Sequence, residues 1–449
     1  MPEYLERISS FAAELSYDHL PAQAVERAKR VLADSLAVIA AGAGEEEVQR
    51  LTEELAPPAG PATLLGSGRK ADSLSAALIN GIAGTFLELD EGNQFARGHP
   101  AIHVVPAALA LVEEGGLSGR DLILALVIGY EIGARIGIAA RIRMSMHPHG
   151  TWGTVGAAVA AAKLAGLDRA GMREIINVSS CLGLTTSRQT MLQGGTVRNF
   201  YSGASNHLGL MALKLVQSGF TGEADGLTTV YGSVISEVFE PGEMTAQLGE
   251  RYEILRNYFK RHACCRYNHS ALDALEEIAA GMPGARIPAS EVDRVEVETY
   301  SLAAQLCDQG PANMLAAKFS IPFAVATYLV HGETGVESFR ADKVADEDIK
   351  ALARRVAVRE DPDLTAMMPE QRPSRVTVRM KDGSVRQAET FVNKGDFEDP
   401  YSGAELEAKY FNLAEPVWGR ETAQRLHQDL MELEKIDDVN RMTGRLIKT

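Results

Sequence analysis

Four short polar stretches break an otherwise apolar, Ala-rich sequence, and each gathers groups able to move protons or hold anions. The first, ELDEGNQFARGHPAIHVVPAALAL at 88–111, brings Glu88, Asp90, Glu91, Arg97, His99 and His103 around Gly92, Gly98 and Pro100, directly before an apolar run. So many ionisable groups between two core helices carry a desolvation cost that a functional site explains better than a helix cap. For His103, already within the helix, a bond to backbone is the expected role. The second, MSMHPHGTWGTVGAAVAAAKLAG at 144–166, sets His147 and His149 ahead of a small-residue helix. The free amides and dipole at that helix start favour a carboxylate, and a histidine beside a carboxylate is a natural proton shuttle. Of the pair, His149 is the expected helix cap.

The third stretch, FKRHACCRYNHSALDAL at 259–275, concentrates Lys260, Arg261, His262, Arg266 and His269, a density of positive charge suited to a small anion. Cys264 and Cys265 add a thiol that could pair with His269. The fourth, GGTVRNFYSGASNHLGLMALKL at 194–215, places Arg198 and Tyr201 before another small-residue helix, where an Arg fork can grip a carboxylate. His99 and His103 are spaced as two ligands on one helix face. HPAIH lacks the Glu of HExxH, however, Pro100 puts His99 at the helix start, and spacing fixes no third ligand, so neither metal nor cofactor is expected.

The elements that must position these groups follow from hydrophobic period. Apolar residues recur every three to four positions over 4–42, 71–89, 103–114, 118–142, 151–166 and 168–182, so the first 260 residues read as all-helical. SGRD at 118–121 supplies a capping Ser with an acid three residues on. Beyond 260 the texture changes. EVDRVEVETY at 291–300 alternates with period two, and 375–380 with 384–391 bracket Lys381, Asp382 and Gly383, a hairpin signal. Helical patterns at 316–331 and 346–355 lie between, and helix returns at 405–411 and 420–434.

Composition narrows the class. At 449 residues more than one domain is expected, and 45 basic against 60 acidic residues give a net charge of −15 that disfavours nucleic acid and anionic membranes as partners. The four cysteines form no CxxC and point to a reducing cytoplasm. The N-terminus, MPEYLERISSFAAEL, has acids where a secretory signal needs a basic start. The longest apolar stretches contain Asp34, Glu131 or Arg135 and read as buried core helices.

Taken in order, ADSLAVIAAG, ELDEGN…HPAIHV, HPHGTWGTVGAAVAAAKLAGL, RNFYSGASNHLGLMALKLVQSGFTG, KRHACCRYNHSALDAL, AKFSIPFAVATYLVHG and GDFEDPYS resemble the MmgE/PrpD family over nearly the whole chain. The resemblance implies a mainly α fold, with a large all-helical domain formed by both chain ends, here 1–262 and 396–449, and an inserted smaller α+β lid domain at 263–395. It also implies a homodimer, a metal-free site in the cleft, and a pocket lined by Glu88 or Asp90, His99, His147, Arg198 and Lys260. The chain departs from family decarboxylases in Glu88, Asp90, Glu91 and Gly92 of the loop, and in Arg198, where the family has Lys. Cys265 and Phe323 stand where those decarboxylases carry a His and an aromatic hydroxyl. The expected activity is therefore that of a hydro-lyase acting on a small di- or tricarboxylate, with isomerisation or epimerisation, decarboxylation and a non-catalytic carboxylate-binding dimer as rivals. Arg198, Lys260, Arg266, His269 and Tyr201 would bind substrate or offset its charge. His99 and His147 would share acid and base roles and Asp90 or Glu88 would orient the loop His; under the isomerisation or epimerisation rival, Cys265 would protonate the second face.

Overall fold

The computed structural model describes residues 2–447, and helix makes up 59% of the chain, so the protein is mainly α. The helix Gly119–Ala139 begins at the expected capping box: Ser118 Oγ accepts from Asp121 N at 3.3 Å, and Asp121 Oδ2 accepts from Ser118 N at 3.0 Å. This helix is long and apolar enough to cross a membrane, yet 89% of its most apolar window is buried inside the protein. Its two buried charges, Glu131 and Arg135, explain themselves internally. Arg135 Nε donates to Glu131 Oε1 at 2.7 Å, and the rest of the fork donates to the carbonyls of Glu243, Ala246 and Arg251. Burial lifts the Glu131 carboxyl to about 7 in spite of Arg135.

The small-residue helix Trp152–Leu164 packs against Gly119–Ala139, Pro100–Gly115 and Phe200–Gln217, which places three of the four polar stretches around one core. Close approach is why glycine recurs here. A Cβ on Gly153 would stand 2.3 Å from the His103 ring, and one on Gly129 would stand 2.6 Å from the Gly156 carbonyl oxygen. Gly153→Ala is therefore expected to cost about 1–3 kcal/mol by overpacking. A lowered denaturant midpoint with an unchanged slope would show it.

The chain's last long helices, Gly403–Trp418 and Arg420–Met431, return to pack on Ala22–Gly42 near the N-terminus. Between them and the first body lies a four-stranded sheet, ordered Val385–Thr390, Ser374–Met380, Val292–Thr299, Val356–Glu360, flanked by the helices His269–Ala280 and Ile321–His331. The expected hairpin is present, with Gly383 at φ 86° in its turn.

Two expectations need correcting, and one strand had no sequence signal. The first 260 residues are not all helix: Ala62–Leu64 pairs with Arg69–Ala71, Gly92–Asn93 with Asn257–Tyr258, and Ala140–Ile142 with Ser236–Phe239. These pairings are two to four residues long, too short to show a period. The run 316–331 breaks into Met314–Lys318 and Ile321–His331, because Ser320 caps the second helix, accepting from Phe323 N at 2.9 Å, and Pro322 occupies its first turn. The edge strand Val356–Glu360 pairs in parallel with Val292–Thr299 and carries no clean alternation; its burial pattern is exposed on most positions.

Candidate active site

The 88–99 loop is tied down from both ends. Glu88 takes a left-handed φ of 56° just after the helix Ser73–Phe86, which turns its side chain inward. Glu91 Oε1 accepts from Ala101 N at 2.7 Å and so caps the following helix, Pro100–Gly115, while Tyr130 OH donates to its other oxygen. Burial pushes the Glu91 carboxyl up to about 8. Gly92 pairs with Tyr258, and any Cβ there would lie 2.4 Å from the Tyr258 hydroxyl, so the loop can sit against the Lys260 segment only with glycine.

Lys260 emerges from that pairing fully buried. Its Nζ donates to the Glu88 carbonyl at 3.0 Å and lies 3.5 Å from Glu88 Oε2 and 3.4 Å from Asp90 Oδ1. Burial alone would lower its pKa, but Asp90 and Glu88 outweigh that and raise it, so the ammonium keeps its charge. Arg198, in the turn Thr196–Asn199, is ion-paired with the outer oxygen of Glu88 and lies over the Phe319 ring.

The two histidines predicted to share proton transfer present opposite faces to one cavity. His99 stands just before Pro100–Gly115 without a side-chain cap bond, and its Nδ1–H donates to the Glu91 carbonyl at 2.6 Å and lies 3.1 Å from Asp90 Oδ2. The lone pair therefore resides on Nε2. His147 is the reverse: its Nδ1 accepts from His149 N at 3.1 Å, so the proton is on Nε2. Both rings flank His149, at centroid distances of 5.0 Å and 4.7 Å. Burial, and next Lys260 for His99 and Arg198 for His147, hold both imidazoles well below the usual histidine range. Neither is a cation at neutral pH.

The cavity measures about 50 Å³ and is lined by Glu88, Arg97, His99, His147, His149, Arg198, Cys265 and Arg266 among the ionisable residues singled out in the sequence. Asp90 and Lys260 stand behind this lining rather than in it. Tyr201 does not reach the cavity; it packs 6.0 Å behind the His147 ring with its hydroxyl near Thr190. His269 is also outside: its Nδ1 accepts from Arg266 Nη1 at 3.0 Å and Nε2 donates to the Cys264 carbonyl, leaving no nitrogen for a thiol. Burial pushes the Cys264 thiol up to about 12 and raises that of Cys265 as well, so neither is a nucleophile as placed. Arg261 points to the surface and pairs with Glu276. Phe323 lies in the core, and the phenyl that lines the cavity is Phe319.

His149 does not cap its helix either. Thr151 stands at the cap of Trp152–Leu164 without a side-chain bond, and His149 Nδ1 is buried without a partner. His103 bonds backbone as expected, its Nδ1–H donating to the His99 carbonyl at 2.8 Å. Among the described residues one group could approach a metal: Asp90, His99 and His149 offer ligand atoms within 4.8 Å of one another. Lys260 Nζ lies 3.4 Å from Asp90 Oδ1, and an ammonium there would repel a cation, so the cluster suits proton handling better.

Sequence reasoning missed Arg188, Tyr258, Tyr267 and Arg372, all of which line the cavity. Tyr258 and Tyr267 lie in or beside the basic stretch and were shadowed by its charges. Arg188 and Arg372 each stand alone in unremarkable polar sequence, and only the fold brings them here.

The MmgE/PrpD N-terminal domain matches residues 6–244 and the MmgE/PrpD C-terminal domain residues 262–433. Cis-aconitate decarboxylase of Aspergillus terreus is 25% identical over 96% of this chain and 94% of its own length. The protein of that name in Mus musculus is 25% identical over 97% and 91%, and that in Homo sapiens 23% over 96% and 92%. Because the N-terminal match alone spans more than half of the 449 residues, the chain belongs to the MmgE/PrpD family.

Proposed function

We propose that the protein is a cofactor-independent lyase that removes water from a small di- or tricarboxylate, taking a proton from the carbon next to a carboxylate. One observation carries this reading: His99 and His147 line the same cavity in opposite tautomers, with the lone pair on Nε2 of His99 and the N–H on Nε2 of His147. His99 Nε2 takes the proton from carbon, and Asp90 supports the imidazolium that forms. As the carbon–oxygen bond breaks, the His147 Nε2–H holds the departing hydroxyl, which leaves as water once His99 returns the proton. Protonating His147 at Nδ1 would break its bond from His149 N, so its role is that of a neutral donor. Arg198 and Lys260 offset charge building on the carboxylate-bearing carbon. Arg266, Tyr267, Phe319 and Arg372 close the cavity from the α+β side, which supports reading that unit as a lid.

Decarboxylation is the second reading, favoured by the full-length similarity to proteins named for it. That reaction on an unsaturated acid requires a proton donor to carbon and has less use for the His99 lone pair. Nuclear magnetic resonance of hydroxylated and of unsaturated polycarboxylates separates the two: dehydration turns a hydroxylated acid into an alkene with every carbon retained, decarboxylation releases CO2 from an unsaturated one.

The base assignment fixes a pH response. An unperturbed histidine, at 6.5, would be mostly protonated at pH 6; His99, held lower by burial and Lys260, stays a free base there. The acid limb of kcat/KM is therefore expected below pH 6.5, and a pH–rate profile checks it.

A further inference from the structure

We propose that Arg188, at the neck between two cavities, and Arg372, in the inner cavity beside the same Tyr267 ring, recognise the substrate carboxylate farthest from the reacting carbon. This rests on the reading of the site as a carboxylate lyase. The inner cavity of about 50 Å³ holds little more than a water or two. Beyond it lies an outer cavity of about 460 Å³, walled by Met144, Met146 and Met368, and the two share Arg97, Pro148, Arg188 and Tyr267. A six-carbon acid reaching His99 must therefore extend through that neck.

The charges divide in the same way. Of the arginines lining the inner cavity, Arg198 is paired with Glu88 and Arg266 with Asp396, while Arg97 is exposed to solvent and has no side-chain anchor among the described residues. Arg188 and Arg372 have no carboxylate partner among the described residues, although the chain is acidic overall. Each is nevertheless anchored. Arg372 Nη2 donates to the Gln94 carbonyl at 2.8 Å and Arg188 Nε to Gln305 Oε1 at 3.1 Å, and the guanidiniums lie 5.4 Å and 5.9 Å from the Tyr267 ring centre. Arg188 Nη2 is buried with no partner at all. Two fixed guanidiniums with spare N–H groups and no ion-paired carboxylate form a receptor for a planar anion. The pairs at Glu88 and Asp396 show what the fold does when an arginine is structural.

The test uses tricarballylate, which offers no hydroxyl to lose, and methylsuccinate, which lacks one of its terminal carboxylates. Calorimetry on the full chain is expected to show wild type binding tricarballylate at least tenfold more tightly. Arg188→Gln and Arg372→Gln are each expected to weaken tricarballylate by roughly ten- to a hundredfold while leaving methylsuccinate nearly unchanged. Arg188 is only partly buried, so its variant decides the matter if Arg372→Gln fails to fold. Equal binding of the two acids by wild type, or undiminished tricarballylate binding by Arg188→Gln, overturns the proposal. His99→Gln separates it from the lyase reading, because that variant should lose turnover yet keep the tricarballylate preference.

Discussion

His99→Ala is expected to lower kcat/KM by about a hundred- to ten-thousandfold, the range that a positioned general base supplies. The loss should fall on kcat, because the carboxylate contacts come from arginines that the substitution leaves in place. His147→Ala should cost less, since a hydrogen-bond donor to the leaving group is removed while the base remains. The order matters more than either size. If the two histidines were interchangeable, as the sequence alone left them, the losses would match. The structure breaks that symmetry through Nδ1, which donates in His99 and accepts in His147. Asp90→Asn should follow His99 in direction, because it removes the charge that supports the imidazolium.

Lys260→Met carries the largest expected effect on stability, about 3–5 kcal/mol, because it strips a counter-charge from two buried carboxylates. Glu88 retains Arg198, whereas Asp90 is left facing only a neutral imidazole. The double variant Lys260→Met with Asp90→Asn is therefore expected to recover much of the loss, and urea denaturation of both variants tests the difference. Lys260 also depresses the His99 pKa, so wherever Lys260→Met still folds and turns over, its acid limb should move to higher pH. A merely structural lysine would leave that limb in place.

The helices were legible because their apolar residues repeat over ten to twenty positions and their starts carry caps such as Ser118 with Asp121. The two-residue pairing of Gly92–Asn93 with Asn257–Tyr258 was not, yet it holds the acidic loop against Lys260. Within the site, His99, His147, Glu88 and Arg198 announced themselves as charged residues set in apolar, small-residue sequence. Arg188 and Arg372 did not, because a single arginine in polar surroundings looks like any solvated side chain until the fold removes its partners. Tyr201 and His269 misled for the converse reason: neighbours in sequence to Arg198 and Arg266, they point behind the wall that those arginines line. Which nitrogen of each histidine carries the proton depends on contacts such as the one from His149 N, which no spacing rule supplies.

The central claim is that His99 removes a proton from a polycarboxylate so that water leaves. Carbon nuclear magnetic resonance of uniformly labelled hydroxylated and unsaturated di- and tricarboxylates, incubated with wild type and with His99→Ala, tests it most directly. The expected result is an alkene product retaining every labelled carbon from at least one acid with wild type, and none with His99→Ala. Labelled CO2 as the product, or alkene formed at an undiminished rate by His99→Ala, would contradict it.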